Sequence, residues 1–114
     1  MNIADIAKIL DDEILSCKER LDLKFEYAFA SDLMSDVLTT HADGMLLLTG
    51  LSNLQTIRTA EMSDVQGIVV VRGKEVAPDM IELAEENDIV LFSSKNSLYK
   101  VSGILYEKGL KPLF

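Results

Sequence analysis

Three short runs built only of apolar residues, Met45 to Leu48, Ile68 to Val71 and Ile89 to Phe92, constrain this chain more than any other feature. A strand with one wet face alternates apolar and polar side chains. A run without polar interruption suits a strand covered on both faces, as in a parallel sheet. The runs begin 23 and then 21 residues apart, which leaves room for one helix and two turns between successive strands. The intervening segments carry helical spacing: Leu54, Ile57 and Ala60 within 53–63, and Met80, Ile81, Leu83 and Ala84 within 79–86. Strand, helix and strand at this spacing make a βαβ unit with a right-handed crossover. Two such units in succession predict the α/β class, with a small, open, mainly parallel sheet and flanking helices.

The flanking segments extend this reading. Ile3, Ile6, Ala7 and Leu10 predict a short opening helix with one buried stripe. From Leu21 to Phe29 apolar residues hold the odd positions, with Asp22, Lys24 and Glu26 between them, the pattern of a half-buried strand. Residues 13–17 are expected to pair with it across a turn at Lys18 to Arg20, with Cys17 half-buried in the strand. Ser31 suits the N-cap of a helix carrying Leu33, Met34, Val37 and Leu38 that closes near Ala42, with Gly44 free to take a left-handed C-terminal cap. A last helix over 97–108 presents Leu98, Val101, Ile104 and Leu105. No Pro/Ser-rich linker or block of like charges divides the chain, so residues 1–114 are expected to form a single domain.

Composition excludes several functions. At 114 residues the chain can remove roughly two-thirds of its extended surface from water, enough for a core without staples. Its 11 basic and 19 acidic side chains give a net charge of -8, which repels a polyphosphate backbone, so nucleic acid is not an expected partner. The apolar runs fall far short of the roughly 20 residues that span a bilayer. The opening residues lack the basic and apolar regions of a secretory signal, and a cytoplasmic location without membrane contact is expected. A lone cysteine, Cys17, and a lone histidine, His41, leave no thiolate or imidazole metal set; neither metal nor cofactor is expected.

In an open parallel sheet, ligands bind beyond the carboxyl ends of the strands, where helix N-termini present unpaired N–H groups. Three loops meet that description. The first holds Thr49, Gly50, Ser52 and Asn53; the second Arg72, Gly73 and Lys74, with Pro78 at the start of the next helix; the third Ser93, Ser94 and Lys95, running on through Asn96 to Ser97. Glycine permits close backbone approach, and Ser or Asn caps a helix. Arg72, Lys74 and Lys95 stand near helix starts on an otherwise acidic protein, an arrangement that favours a small anionic ligand, a metabolite or a nucleotide. The same residue types also serve loop geometry and capping without any ligand.

His41 stands where a helix C-terminus would favour a cationic side chain, and no nucleophile neighbours it in sequence. The adjacent carboxylates Asp11, Asp12 and Glu13, like Glu85 and Glu86, read as solvated surface. None of the Gly-x-x-x-x-Gly-Lys-Ser/Thr, Gly-x-Gly-x-x-Gly, Gly-x-Ser-x-Gly or His-Glu-x-x-His motifs is present. These absences favour a binding or regulatory module over an enzyme. The alternative is a small phosphate-handling enzyme at the same loops, with Arg72 or Lys95 stabilising phosphoryl charge. The alternating segment ending in Phe29, the apolar tail Leu110, Leu113 and Phe114, and five methionines supply material for a self-association patch.

The stretches Leu46 to Gly50, Arg58 to Ala60, Gly67 to Gly73 and Ile81 to Phe92, preceded by Phe29 to Ser35, together resemble DRTGG domains. They are also similar to the N-terminal domain of HPr kinase/phosphorylase. Thr49, Gly50 and Gly73 match the family motif residue by residue; where the family carries Asp-Arg after its turn, this chain has Thr49-Gly50-Leu51-Ser52-Asn53-Leu54, and where the family carries Thr-Gly-Gly it has Val71-Arg72-Gly73-Lys74. The resemblance implies a fold like the N-terminal domains of HPr kinase and the Mur ligases. It also implies a regulatory role, frequent association with CBS domains, and a homodimer or a partner enzyme. It implies no kinase activity, because the phosphate-binding loop of HPr kinase belongs to its other domain.

Overall fold

The computed structural model describes residues 1–20 and 22–114. Asn2 opens the first helix, α1 (Ile3–Leu10), through a reciprocal cap: its side chain accepts from the Asp5 N–H at 2.9 Å while its own N–H donates to the Asp5 carboxylate at 3.0 Å. There follow β1 (Glu13–Ile14), β2 (Tyr27–Ala30), α2 (Met34–Leu38), β3 (Met45–Thr49), α3 (Leu54–Met62), β4 (Gly67–Val70), α4 (Pro78–Glu86), β5 (Val90–Ser93), α5 (Leu98–Glu107) and β6 (Lys111–Pro112). The strands form one sheet in the order β1-β5-β4-β3-β2-β6. All neighbours run parallel except β1, which is antiparallel to β5.

The three apolar runs occupy the centre of the sheet, and alternation along each strand divides their side chains between two layers. Met45, Leu47, Ile68, Val70, Ile89 and Leu91 face Val37 of α2, Ile57 and Ala60 of α3, and Met80 and Ala84 of α4. Leu46, Leu48, Val69, Val71, Val90 and Phe92 face Ile3, Ile6 and Leu10 of α1 and Val101 and Leu105 of α5. Each fully buried side chain of this size contributes about 1.5–3 kcal/mol relative to exposure. A polar replacement at Leu47, fully buried between these layers, would leave an unpaired group in the interior.

The helices are set by their ends as expected. Asn53 caps α3 by accepting from the Thr56 N–H at 3.0 Å, Pro78 sits at the first turn of α4, and Ser97 caps α5 by accepting from the Lys100 N–H at 3.1 Å.

The first third of the chain departs from expectation. The strand expected over 21–29 is confined to Tyr27–Ala30, and Leu21 lies outside the described residues. Leu23 and Phe25 are buried without a ladder: they cover the inner layer beside α1, and Lys24 makes a single bridge to Asn2. Residues 13–17 do not pair with this segment. Glu13 and Ile14 lie against Ser93 and Phe92 of β5 instead. The chain then leaves the sheet at Cys17, which is buried with φ at 52° in place of a half-buried strand residue.

The helix expected to run from a Ser31 cap to Ala42 is the single turn and a half of α2, and its N-cap residue is Leu33. Ser31 stands three residues before Met34, and its hydroxyl accepts from the Leu33 N–H at 3.0 Å. Gly44, with φ at 77°, therefore forms the turn into β3 and caps nothing.

Candidate functional site

The connections decide where a ligand can enter. The helices that follow β2, β3 and β4 all pack on one face, whereas α5, which follows β5, packs on the other with α1. Neighbouring strands whose outgoing segments part to opposite faces leave a crevice beyond their carboxyl ends. That parting falls between β4 and β5. Beside it, beyond the ends of β2, β3 and β4 and under the first turn of α5, opens a cleft of about 480 Å³ lined by Asp32, Gly50, Leu51, Val71, Arg72, Lys74, Ser97, Leu98 and Tyr99.

The β4–α4 loop is held in an unusual backbone. Arg72 and Gly73 are both left-handed, with φ at 66° and 63°. Glycine adopts this without penalty, whereas arginine there costs about 1–2 kcal/mol. Two hydrogen bonds offset the cost: the Arg72 N–H donates to the Asn96 carbonyl at 2.7 Å and the Gly73 N–H to the Ser94 carbonyl at 2.8 Å. The β4–α4 and β5–α5 loops are thus tied together by backbone, and the Arg72 side chain is left exposed at the cleft. Among the described residues neither Arg72 nor Lys74 makes an ion pair.

The β3–α3 loop is organised by Asp32, from the loop after β2. Asp32 Oδ1 accepts the Thr49 hydroxyl at 2.9 Å and the Gly50 N–H at 2.7 Å. Thr49 is fully buried, and its hydroxyl also accepts from the Leu51 N–H at 3.2 Å. Thr49 is therefore a strut of the rim, while Gly50 lines the opening.

Of the ten residues the sequence singled out, the structure brings Gly50, Arg72 and Lys74 to one cleft. Gly73 adjoins it as the turn residue. Ser52 donates its hydroxyl to the Glu75 carbonyl, and Asn53 is occupied in capping α3. Ser94 is buried and accepts from the Asn96 N–H at 3.2 Å. Ser93 and Lys95 lie apart, in a second hollow of about 310 Å³ with Leu10, Asp11, Asp12, Glu13 and Asn96.

Sequence reasoning missed Asp32 and Tyr99 at the cleft, whereas Ser97, the last residue of the third loop, does line it. Ser31-Asp32 would have been found had Tyr27–Ala30 been read as a parallel strand, since its outgoing loop then joins the rim.

Two carboxylates expected on a solvated surface have specific environments. Asp12 is half-buried beside Ser94, and its Oδ2 finds no hydrogen-bond donor among the described residues. Burial pushes its pKa up to about 6; the Ser94 hydroxyl opposes this, and the Asp11 charge adds to it. Glu85 accepts the Cys17 N–H at 2.7 Å, and burial together with this carboxylate pushes the Cys17 thiol up to about 11. His41 is exposed, 4.0 Å from Asp43. Among the described residues no group of His, Cys, Asp or Glu is arranged to hold a metal, and no helix is long and apolar enough to cross a membrane.

A separate apolar groove of about 290 Å³ runs along the β2–β6 edge, between Phe29, Tyr106, Leu110, Pro112, Leu113 and Phe114. Phe114 is 92% exposed and meets Phe29 edge-on, with ring centroids 6.0 Å apart.

A mainly parallel sheet, helices on both faces and a polar-rimmed cleft at the strand ends define a small open α/β module. The chain belongs to the DRTGG domain family, whose model matches residues 5–107. It is also similar in fold to a crystal structure of the CBS and DRTGG domains of the regulatory region of Clostridium perfringens pyrophosphatase, which is complexed with the activator diadenosine tetraphosphate. The TM-score is 0.79 at 15% identity; the match covers 98% of this chain and 48% of that one, so the chain spans about half its length. No curated protein matches the sequence.

Proposed function

We propose that residues 1–114 form a single, non-catalytic regulatory domain of the cytoplasm that senses a small anionic ligand in the cleft between the strand ends and the first turn of α5 and passes its state to a partner enzyme or a second copy of itself. The observation that carries this reading is the convergence of Arg72 and Lys74, both free of ion pairs among the described residues, on one cleft of an acidic protein. Two cations beside a helix N-terminus favour an anion there.

Family membership supports the regulatory role, as does the pyrophosphatase neighbour, a regulatory region complexed with the activator diadenosine tetraphosphate. The apolar groove beside Phe114 is the surface we assign to association.

The experiment is a thermal-shift titration of the chain with inorganic pyrophosphate at low ionic strength. A rise in Tm that is lost in the Arg72→Ala/Lys74→Ala double variant supports the reading. An unchanged Tm up to millimolar pyrophosphate counts against an anion site.

A further inference from the structure

Building on the anion reading of the cleft, we infer that its ligand is nucleotide-like: a planar aromatic ring joined to a phosphate, with the ring laid on Tyr99 and the phosphate at Arg72 and Lys74.

A bare inorganic anion accounts for only part of the lining. Leu51 and Leu98 border the same opening as the two cations, and apolar surface offers a small anion nothing in return for its lost hydration. A ring covers such surface. Tyr99 is 89% exposed on the first turn of α5 and stacks on no other ring among the described residues. An unused aromatic face at the wall of a cleft is a platform for a base, because every base has a π-face to offer.

Asp32 supplies direction. Its Oδ1 is taken by Thr49 and Gly50, while Oδ2 makes no hydrogen bond among the described residues and is available to a ring amino group or a sugar hydroxyl. The carboxylate also repels phosphate, so the charged end of a ligand goes to Arg72 and Lys74 and its donor-bearing end to Asp32. The cleft, at about 480 Å³, falls within the roughly 300–1,000 Å³ of small-molecule pockets.

Calorimetric titration of the full chain with ADP, UDP and inorganic pyrophosphate tests this. The nucleotides are expected to bind more tightly than pyrophosphate. Tyr99→Ala should weaken ADP and UDP by about tenfold or more and leave pyrophosphate unchanged, while Tyr99→Phe restores the nucleotides. Because Tyr99 lies almost wholly in solvent, neither variant disturbs the core. If pyrophosphate binds as well as ADP and Tyr99→Ala changes neither, the nucleotide inference is overturned and the anion site stands. If none of the three binds at millimolar concentration, both are overturned.

Discussion

The Asp32 carboxylate reaches across from the end of β2 to the Thr49 hydroxyl at the end of β3, and the same oxygen takes the Gly50 N–H. An exposed residue thereby satisfies a fully buried threonine and fixes the turn that borders the cleft.

Asp32→Ala removes a charged acceptor from two donors, one of them on a buried side chain. It is expected to destabilise the fold by about 1–3 kcal/mol, seen as a lower urea midpoint with an unchanged slope. Asp32→Asn, which keeps an acceptor oxygen, is expected to lose less. Equal losses in the two variants would contradict the hydrogen-bonding role.

Gly67 opens β4 beneath the Phe25 ring. A Cβ placed there would stand 2.5 Å from Phe25 Cζ and 2.6 Å from Cε1, closer than such atoms approach. Gly67→Ala should therefore cost about 1–3 kcal/mol by overpacking. Adding Phe25→Leu should recover part of that loss in a double-mutant cycle; strict additivity would show that the two positions do not compete for space.

Asp12 gives stability a pH dependence of unusual sign. Its pKa is about 6 in the folded protein against an ordinary 3.8, so the folded state holds this proton more tightly than the unfolded state. This contribution is fully present below pH 3.8 and is lost as pH rises through 6. Asp12 is only partly buried, so solvent screening cuts the loss to about 1 kcal/mol from the roughly 3 kcal/mol of an unscreened shift. Denaturation at pH 7.5 should find Asp12→Asn more stable than the parent by that amount, with the difference fading by about pH 4. A constant difference across that range would remove the assigned cause.

Cys17 is expected to resist modification. Raising its pKa from 9.0 to about 11 lowers the thiolate fraction at pH 8, and a shift of two units corresponds to about 100-fold. Burial slows attack further. Iodoacetamide at pH 8 should therefore alkylate the native chain more than 100-fold more slowly than the urea-unfolded chain. Equal rates would place the thiol in solvent.

The centre of the fold was legible because β3, β4 and β5 are covered on both faces, and short apolar runs rich in branched side chains between helical segments suit such strands. The edges were not. Leu23 and Phe25 alternate with polar residues because an extended chain crossing the inner layer turns every second side chain inward, and this needs no hydrogen-bonded neighbour. Periodicity reports burial, while pairing depends on which edge the chain reaches, so β1 was assigned to the wrong partner.

The same gap hid Asp32, whose place on the rim follows from β2 lying parallel to β3. Arg72 and Lys74 were legible because they follow a strand whose direction the sequence does carry. Ser93 and Lys95 follow one too, but they turn away to the α1 side, a side-chain choice invisible in spacing.

Helix α5 has one further consequence. Its first turn walls the cleft with Leu98 and Tyr99, and its later turns wall the hydrophobic groove with Ser102 and Tyr106. Ten residues make a rod about 15 Å long, so the two openings are the opposite ends of one lever. A tilt that narrows one of them must reshape the other.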